Sequence, residues 1–445
     1  MAKKKNIVKS AKTSLQLIIL LIIVVGWICG ISAITSNEDE EAQDALIQQA
    51  QIYLEDKLYI RAVKNYQTAL ANYNTDNNLK YEEQLVQIYK EADMQDEYMA
   101  LLIERIELGT ALEEEYQIVA DYYIENRDEK EALIVLKAGI ERFENEQLIK
   151  MREEIRYTYE EREINLSELI QPKSNGLIPA FNGEKWGYIN QNGKVVLDFI
   201  YEEATQFASG YAVVKVDGVY TLIDQKGYWY AVDKIGLDQV QDISASVIVA
   251  VENGKYRLYS RMFKEYSKEE FDCIYLNDNG LFVVQKNGLW AILDENLEAL
   301  TEYVFTDVAL TSRGTVFTGD FAIMKDEGGY CHISKEGKPL YETRFADAKG
   351  YEGGLIAVAD ASGRWGYANG KGEIIVEYQY GNAYSFASQL APVEYGGKWG
   401  YINRYNEMKI EAEYVFAYPF VGENAIVRTQ KGNYKILTLE NYDSF

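Results

Sequence analysis

The phrase Lys185-Trp186-Gly187-Tyr188-Ile189-Asn190 returns as Arg364-Trp365-Gly366-Tyr367-Ala368-Asn369 and as Lys398-Trp399-Gly400-Tyr401-Ile402-Asn403. Fainter copies, aligned on their leading aromatic, stand at Tyr220, Tyr256, Trp290, Tyr330 and Tyr434. The spacing of roughly 34 to 40 residues is the signature of a repeat architecture, in which each unit buries its apolar face only against its neighbours. It predicts surface recognition and names no ligand.

The C-terminal units read as β-structure. Apolar runs such as Tyr211-Ala212-Val213-Val214-Lys215-Val216 and Val219-Tyr220-Thr221-Leu222-Ile223 flank Asp217-Gly218, a two-residue hairpin turn whose positive φ angles suit Asp, Asn and Gly. Equivalent junctions at Asn182-Gly183, Asn253-Gly254, Asn287-Gly288 and Gly396-Gly397 predict an antiparallel meander of three or four strands per unit. Side chains alternate along a strand, so Trp186 and Tyr188 share one face while Gly187 and Ile189 share the other. Glycine weakens a strand interior unless something approaches it closely, and the neighbouring unit is expected to pack over Gly187, Gly366 and Gly400. Middle copies hold Thr221, Arg257, Ala291 and Cys331 there. The recurrent aromatics suit layer packing between units, or else a sugar-stacking platform; exposure of Tyr188, Tyr367 and Tyr401 separates the two.

Trp-Gly-Tyr-Ile, a Gly turn, Tyr201-Glu202-Glu203, Phe207, Gly210 and Ala212-Val213-Val214 resemble the unit of the bacterial WG repeat family. Tyr380, Phe386 and Ala391-Pro392-Val393 repeat the scheme, as do Tyr414, Phe420, Gly422 and Ala425. The prolines that the family usually carries before its Tyr are absent, and the second to fifth units are eroded. The resemblance implies a repeat β domain, frequent on secreted or envelope proteins, with no catalytic residues to carry over. A seven- or eight-bladed β-propeller of short blades is expected, with an open β-solenoid as the alternative. Ring closure is expected from an orphan last strand at 177–181 and an orphan first strand at 433–439.

Between Glu41 and Glu163 the periodicity becomes helical. Ala50, Tyr53, Ala62, Tyr66 and Ala69 stand where the tetratricopeptide repeat places its small and aromatic packing residues, and Ala120, Tyr123, Ala132, Leu136 and Gly139 repeat the pattern. Small residues matter because helices about 8 to 10 Å apart tolerate no bulk at every contact. A middle copy around Val86, Tyr89, Tyr98 and Leu102 departs from it, with Tyr98 at a small position, and a last helix is expected over 146–161. The resemblance to tetratricopeptide repeats implies an α-solenoid whose groove binds a peptide or protein; generic helical hairpins would give the same architecture.

Lys3, Lys4, Lys5, Lys9 and Lys12 precede an apolar stretch from Leu15 to Ile34, and Glu38, Asp39, Glu40 and Glu41 follow it. That pattern predicts a signal anchor, with residues 1–12 as a cytoplasmic basic tail, 13–35 as a membrane-spanning helix and the bulk of the chain outside the cytoplasm. Cleavage of the segment, with secretion, is the alternative. The remaining boundaries are 36–164 for the helical region, 165–176 for a linker containing Pro172, and 177–445 for the β domain. The expected whole is an α + β multidomain chain.

A formal charge of −25 argues against nucleic acid, which needs a Lys/Arg surface. His332 is the sole histidine and occupies a repeat tyrosine position; Cys29, Cys273 and Cys331 form no disulfide framework. Neither a catalytic triad, a phosphate loop nor a zinc cluster is legible, so no catalytic, cofactor or metal residue is assigned. Acidic pairs such as Glu202-Glu203 could supply glycosidase carboxylates, yet their fixed repeat position suits surface turns better. The expected function is a membrane-anchored scaffold for protein partners, with a cell-wall glycan binder as alternative and a glycan hydrolase as a remote one.

Overall fold

The computed structural model describes residues 38–174 and 176–442. These divide into two compact units at Ile155/Arg156.

The first unit is helical: α1 (38–55), α2 (Tyr59–Asn72), α3 (Asn78–Glu91), α4 (Gln95–Glu107), α5 (Glu113–Glu125), α6 (Glu129–Phe143) and α7 (Glu146–Ile155). Lys57, Asp93 and Arg127, with φ of 58°, 56° and 60°, turn the chain between α1 and α2, α3 and α4, and α5 and α6. Three hairpins and a last helix result. Ala50, Ala62, Ala69, Ala120 and Ala132 are wholly buried and Tyr66 is nearly so, while Tyr53 and Tyr123 pack half-buried against the same core. Gly139 has its own reason to be small: a Cβ there would lie 2.8 Å from Leu148 of α7 and 3.0 Å from the Tyr116 ring of α5.

The helix expected over 146–161 ends at Ile155, and residues Tyr159–Ile164 form a strand. That strand pairs antiparallel with Tyr434–Leu439 from Tyr159↔Leu439 to Ile164↔Tyr434. Long-range pairing has overridden local helical preference, because Ile164 buries itself among Leu169, Ile178, Ile189, Ile426 and Ile436. Residues 165–176 are likewise no linker. Glu168–Leu169 pairs with Ala180 and Phe181, so this stretch begins the second unit's first sheet.

The second unit contains eight antiparallel sheets among the described residues, arranged as an eight-bladed β-propeller. The first blade is 168–169, 178–181, 186–189 and 195–201; the last takes 416–417, 424–428 and 434–439 and borrows 159–164 from the start of the unit. The ring therefore closes by strand exchange, which sets aside the open solenoid. Its closing strand is 159–164 and not 177–181, since the latter already lies inside a complete first blade.

The glycine of the repeat phrase answers to its own blade and not to its neighbour. Trp186 pairs with Tyr201 and Tyr188 with Leu197, so three residues of the outer strand arch over the single Gly187; the same bulge recurs beside Gly366 and Gly400. A Cβ on Gly400 would sit 2.5 Å from the Ile410 carbonyl oxygen and 2.7 Å from the Ala412 nitrogen, both backbone atoms of that arch. The inter-unit packing expected over these glycines is thus corrected. Where the position holds Arg257, Ala291 or Cys331, the outer segment loses regular pairing and touches the leading strand only through bridges such as Tyr256↔Phe271, Trp290↔Phe305 and Tyr330↔Phe345.

The membrane-spanning helix expected over 13–35 lies outside the described residues. Among those described, no helix is long and apolar enough to cross a membrane. Helices α2 to α7 are 10 to 15 residues long and each carries charged side chains, such as Glu82 and Glu83 on α3. The single-pass topology, the signal anchor and the extracytoplasmic placement derived from it are withdrawn.

Candidate interaction surfaces

The repeat tyrosines are structural tethers. Tyr188, Tyr367 and Tyr401 are fully buried. Each hydroxyl donates to a main-chain oxygen of the following blade: Tyr188 to Thr205 at 2.8 Å, Tyr367 to Tyr384 at 2.9 Å and Tyr401 to Tyr418 at 2.7 Å. Each ring meets a phenylalanine of that blade edge-on, Phe207, Phe386 and Phe420, at centroid distances of 4.8, 4.9 and 5.0 Å. Burial pushes all three phenols well above their usual pKa. The sugar-stacking platform expected as an alternative has lost these rings. Trp290, Trp365 and Trp399 are also buried, with Trp290 stacked on Tyr275 at 5.4 Å, whereas Trp186 is half-buried against Phe181.

The recurrent acids cap turns. Glu202 accepts a hydrogen bond from the Gly218 amide at 3.1 Å, Asp238 from Gly254 at 2.8 Å and Asp272 from Asn287 at 2.7 Å, each holding the hairpin turn of its blade. His332 sits buried among Phe321, Tyr341 and Tyr351, and burial holds its imidazole below the usual pKa. Its ring is a packing substitute for the tyrosine found in other blades. Cys331 is buried beside it and Cys273 half-buried; burial raises both thiols.

What the repeats leave open is a mouth. The loop after each blade's first strand contributes to one of two adjoining cavities, of about 340 and 440 Å³. Lys173, Ser209, Ser244, Asn277, Arg313, Gly353, Gln389 and Val421 represent the eight blades in turn, and Lys173, Ser174 and Arg313 line both cavities. Eight loops can share walls in this way only around the axis of a ring. The segment read as a linker supplies the first of them.

Among the described residues, three cations mark this mouth. Lys173 pairs with Asp242 at 2.5 Å, and Arg313 with Asp278 at 3.2 Å and Glu352 at 3.7 Å. Arg404 donates from Nε to Gln389 at 2.7 Å and from Nη2 to the Gly353 carbonyl, and burial lowers its pKa. The Gln389 turn is strained. Ser388 and Gln389 have φ of 52° and 67°, where the neighbouring blades place Gly353, Gly354 and Gly422. Sequence reasoning missed this mouth because the Phe that recurs in some of its loops, at 207, 386 and 420, carries no sign that the loops converge; only closure of the ring brings them together.

A second open feature is aromatic. Tyr228, just before the outer strand of the second blade, and Trp229 and Tyr230, at its start, are 66%, 51% and 40% exposed. Tyr230 meets Tyr211 edge-on at 5.2 Å, and Arg261 lies 4.7 Å over the Tyr211 ring.

Known proteins resemble this chain in its repeats. The family description "WG containing repeat" matches residues 186–220, 365–399 and 399–434. No curated protein matches the chain. Among solved structures, a eukaryotic initiation factor is 8% identical over 62% of this chain and 86% of its own, with a TM-score of 0.40. Kluyveromyces lactis Hsv2 is 9% identical over 60% and 96%, with a TM-score of 0.35. The Neurospora crassa Pan2 WD40 domain is 12% identical over 63% and 90%, with a TM-score of 0.33.

Proposed function

The C-terminal region of this chain belongs to the WG containing repeat family, and from that premise we propose that the protein is an interaction scaffold that recognises partner proteins through its repeat surfaces. One observation carries the reading: eight loops from eight blades converge on a mouth with two cavities and the cationic side chains of Lys173, Arg313 and Arg404. Buried repeat tyrosines and turn-capping acids serve the fold, which leaves the variable loops to serve recognition. Binding rather than catalysis is the proposed work, with no cofactor required.

The test is comparative capture. Arg313→Ala combined with Arg404→Ala, on the full chain, should abolish retention of the partner held by the wild type, while Glu184→Gln on an exposed turn should leave it unchanged. An identical set of captured proteins for all three would overturn a binding mouth.

A glycan reading finds support in the cluster Tyr228, Trp229 and Tyr230, whose exposed rings suit stacking on sugars. Retention on purified cell-wall glycan, lost on Trp229→Ala, would support it.

A further inference from the structure

The middle helical hairpin departs from its neighbours at two positions, and both departures lead to one cavity. Tyr98 occupies the place of Ala62 and Ala132, and seven residues on, Arg105 occupies the place of Ala69 and Gly139. A long cation therefore stands where the other hairpins need an alanine or a glycine to let helices meet. Arg105 is 1% exposed. Its Nε donates to Glu115 at 3.0 Å, Nη1 to Glu82 at 3.3 Å and Nη2 to the Thr110 carbonyl at 3.3 Å. Such a group is expensive to bury and persists only when it is paired on every side.

Beside it lies a cavity of about 400 Å³ between α2 and α4, floored by α3. Its apolar walls include Leu70, Leu85 and Leu101, and its rim carries Glu82, Glu97 and Glu104. Among the described residues, Arg105 is the sole cation lining it and is already engaged by two carboxylates, so the site holds an excess of negative charge. Burial is the main cause that raises the Glu82 carboxyl pKa; the proximity of Arg105 lowers it, and Glu104 and Glu115 add to the rise. Sites that break a local packing rule are where function is expected to reside.

We propose that this cavity is a docking site for a cationic amphipathic segment of a partner protein, with an apolar side chain against Leu85 and Leu101 and a Lys or Arg between Glu82, Glu97 and Glu104. The inference rests on the scaffold reading and adds the chemistry of one partner. Charge complementarity selects the occupant, since an acidic segment would meet uncompensated carboxylates and a purely apolar one would leave them desolvated.

The test uses the full chain and a fluorescein-labelled peptide of about 15 residues with Leu and Lys at helical spacing, beside a twin with Glu in place of Lys. Anisotropy should show saturable binding of the Lys peptide alone, weakened about tenfold in the Glu97→Gln, Glu104→Gln double variant. That variant spares the Arg105 partners, and an unchanged circular dichroism spectrum would show that it folds. Glu184→Gln with Glu377→Gln, equal in charge but on exposed propeller positions, should bind as the wild type does. Equal weakening by both double variants would reduce the effect to net charge and overturn the site, as would binding of the Glu peptide or of neither peptide. Failure here leaves the Arg313/Arg404 capture experiment, which concerns the other unit, as a separate test of the scaffold.

Discussion

Gly400 shows how one residue can be required by a backbone neighbour and not by a conformation of its own. Its Cβ would enter the backbone arch of Ile410 and Ala412. Gly400→Val is expected to cost about 3 kcal/mol, read as a lowered midpoint in denaturant melts. Gly363 is the contrasting case: it has open space around it and a φ of 78°, so Gly363→Ala should cost only about 1 kcal/mol of left-handed strain. The tyrosine tethers make a second prediction. Because burial raises the phenols of Tyr188, Tyr367 and Tyr401, they bind protons more tightly folded than unfolded. Their contribution is complete below about pH 10, the usual tyrosine value, and is lost as pH rises beyond it. Absorbance in the near ultraviolet should therefore show part of the 37 tyrosines ionising only together with base unfolding. Tyr401→Phe leaves the Tyr418 carbonyl without that donor and should cost about 1 kcal/mol.

Among elements, the strand Tyr159–Ile164 has the largest consequence for its length. It completes the eighth blade, and Glu161 binds both the Tyr414 hydroxyl and the Lys435 ammonium across the closure. Burial would raise the Glu161 pKa, but these two hydrogen bonds outweigh it and hold the carboxyl below its usual value. A depressed carboxyl stabilises the fold above its unfolded pKa of about 4.5, and that stability is lost as pH falls. Glu161→Gln should lower the melting temperature near neutral pH and flatten its decline as the solution is acidified. Ile164→Asp should be harsher, about 3 kcal/mol or more, because it sets an unpaired carboxylate among buried apolar side chains. If neither variant lowers the melting temperature, the closing strand does not hold the ring.

At the scale of the whole molecule, each unit has a core of its own. Calorimetry should therefore resolve two transitions. Tyr66→Ala, removing a ring that is 2% exposed, should lower the helical transition by an amount equivalent to about 3 kcal/mol and leave the propeller transition in place. Ile164→Asp should do the reverse, and one shared transition moved by both would mean a single cooperative body.

Repeat period, hairpin turns and small helical residues were all legible in the amino-acid order, because each depends on contacts within one repeat or with the next one along the chain. Trp186, Tyr367 and Ala62 report such local requirements wherever they recur. Tertiary structure alone decided the rest. Residues 159–164 look helical and 165–176 look like a linker until Tyr434–Leu439 and Phe181 pair with them. Blade number, closure and the mouth depend on contacts between distant parts of the chain, which no local pattern encodes. Arg105 is the intermediate case: the sequence marks where the helical repeat fails, but the cavity beside it exists only once α2, α3 and α4 have packed.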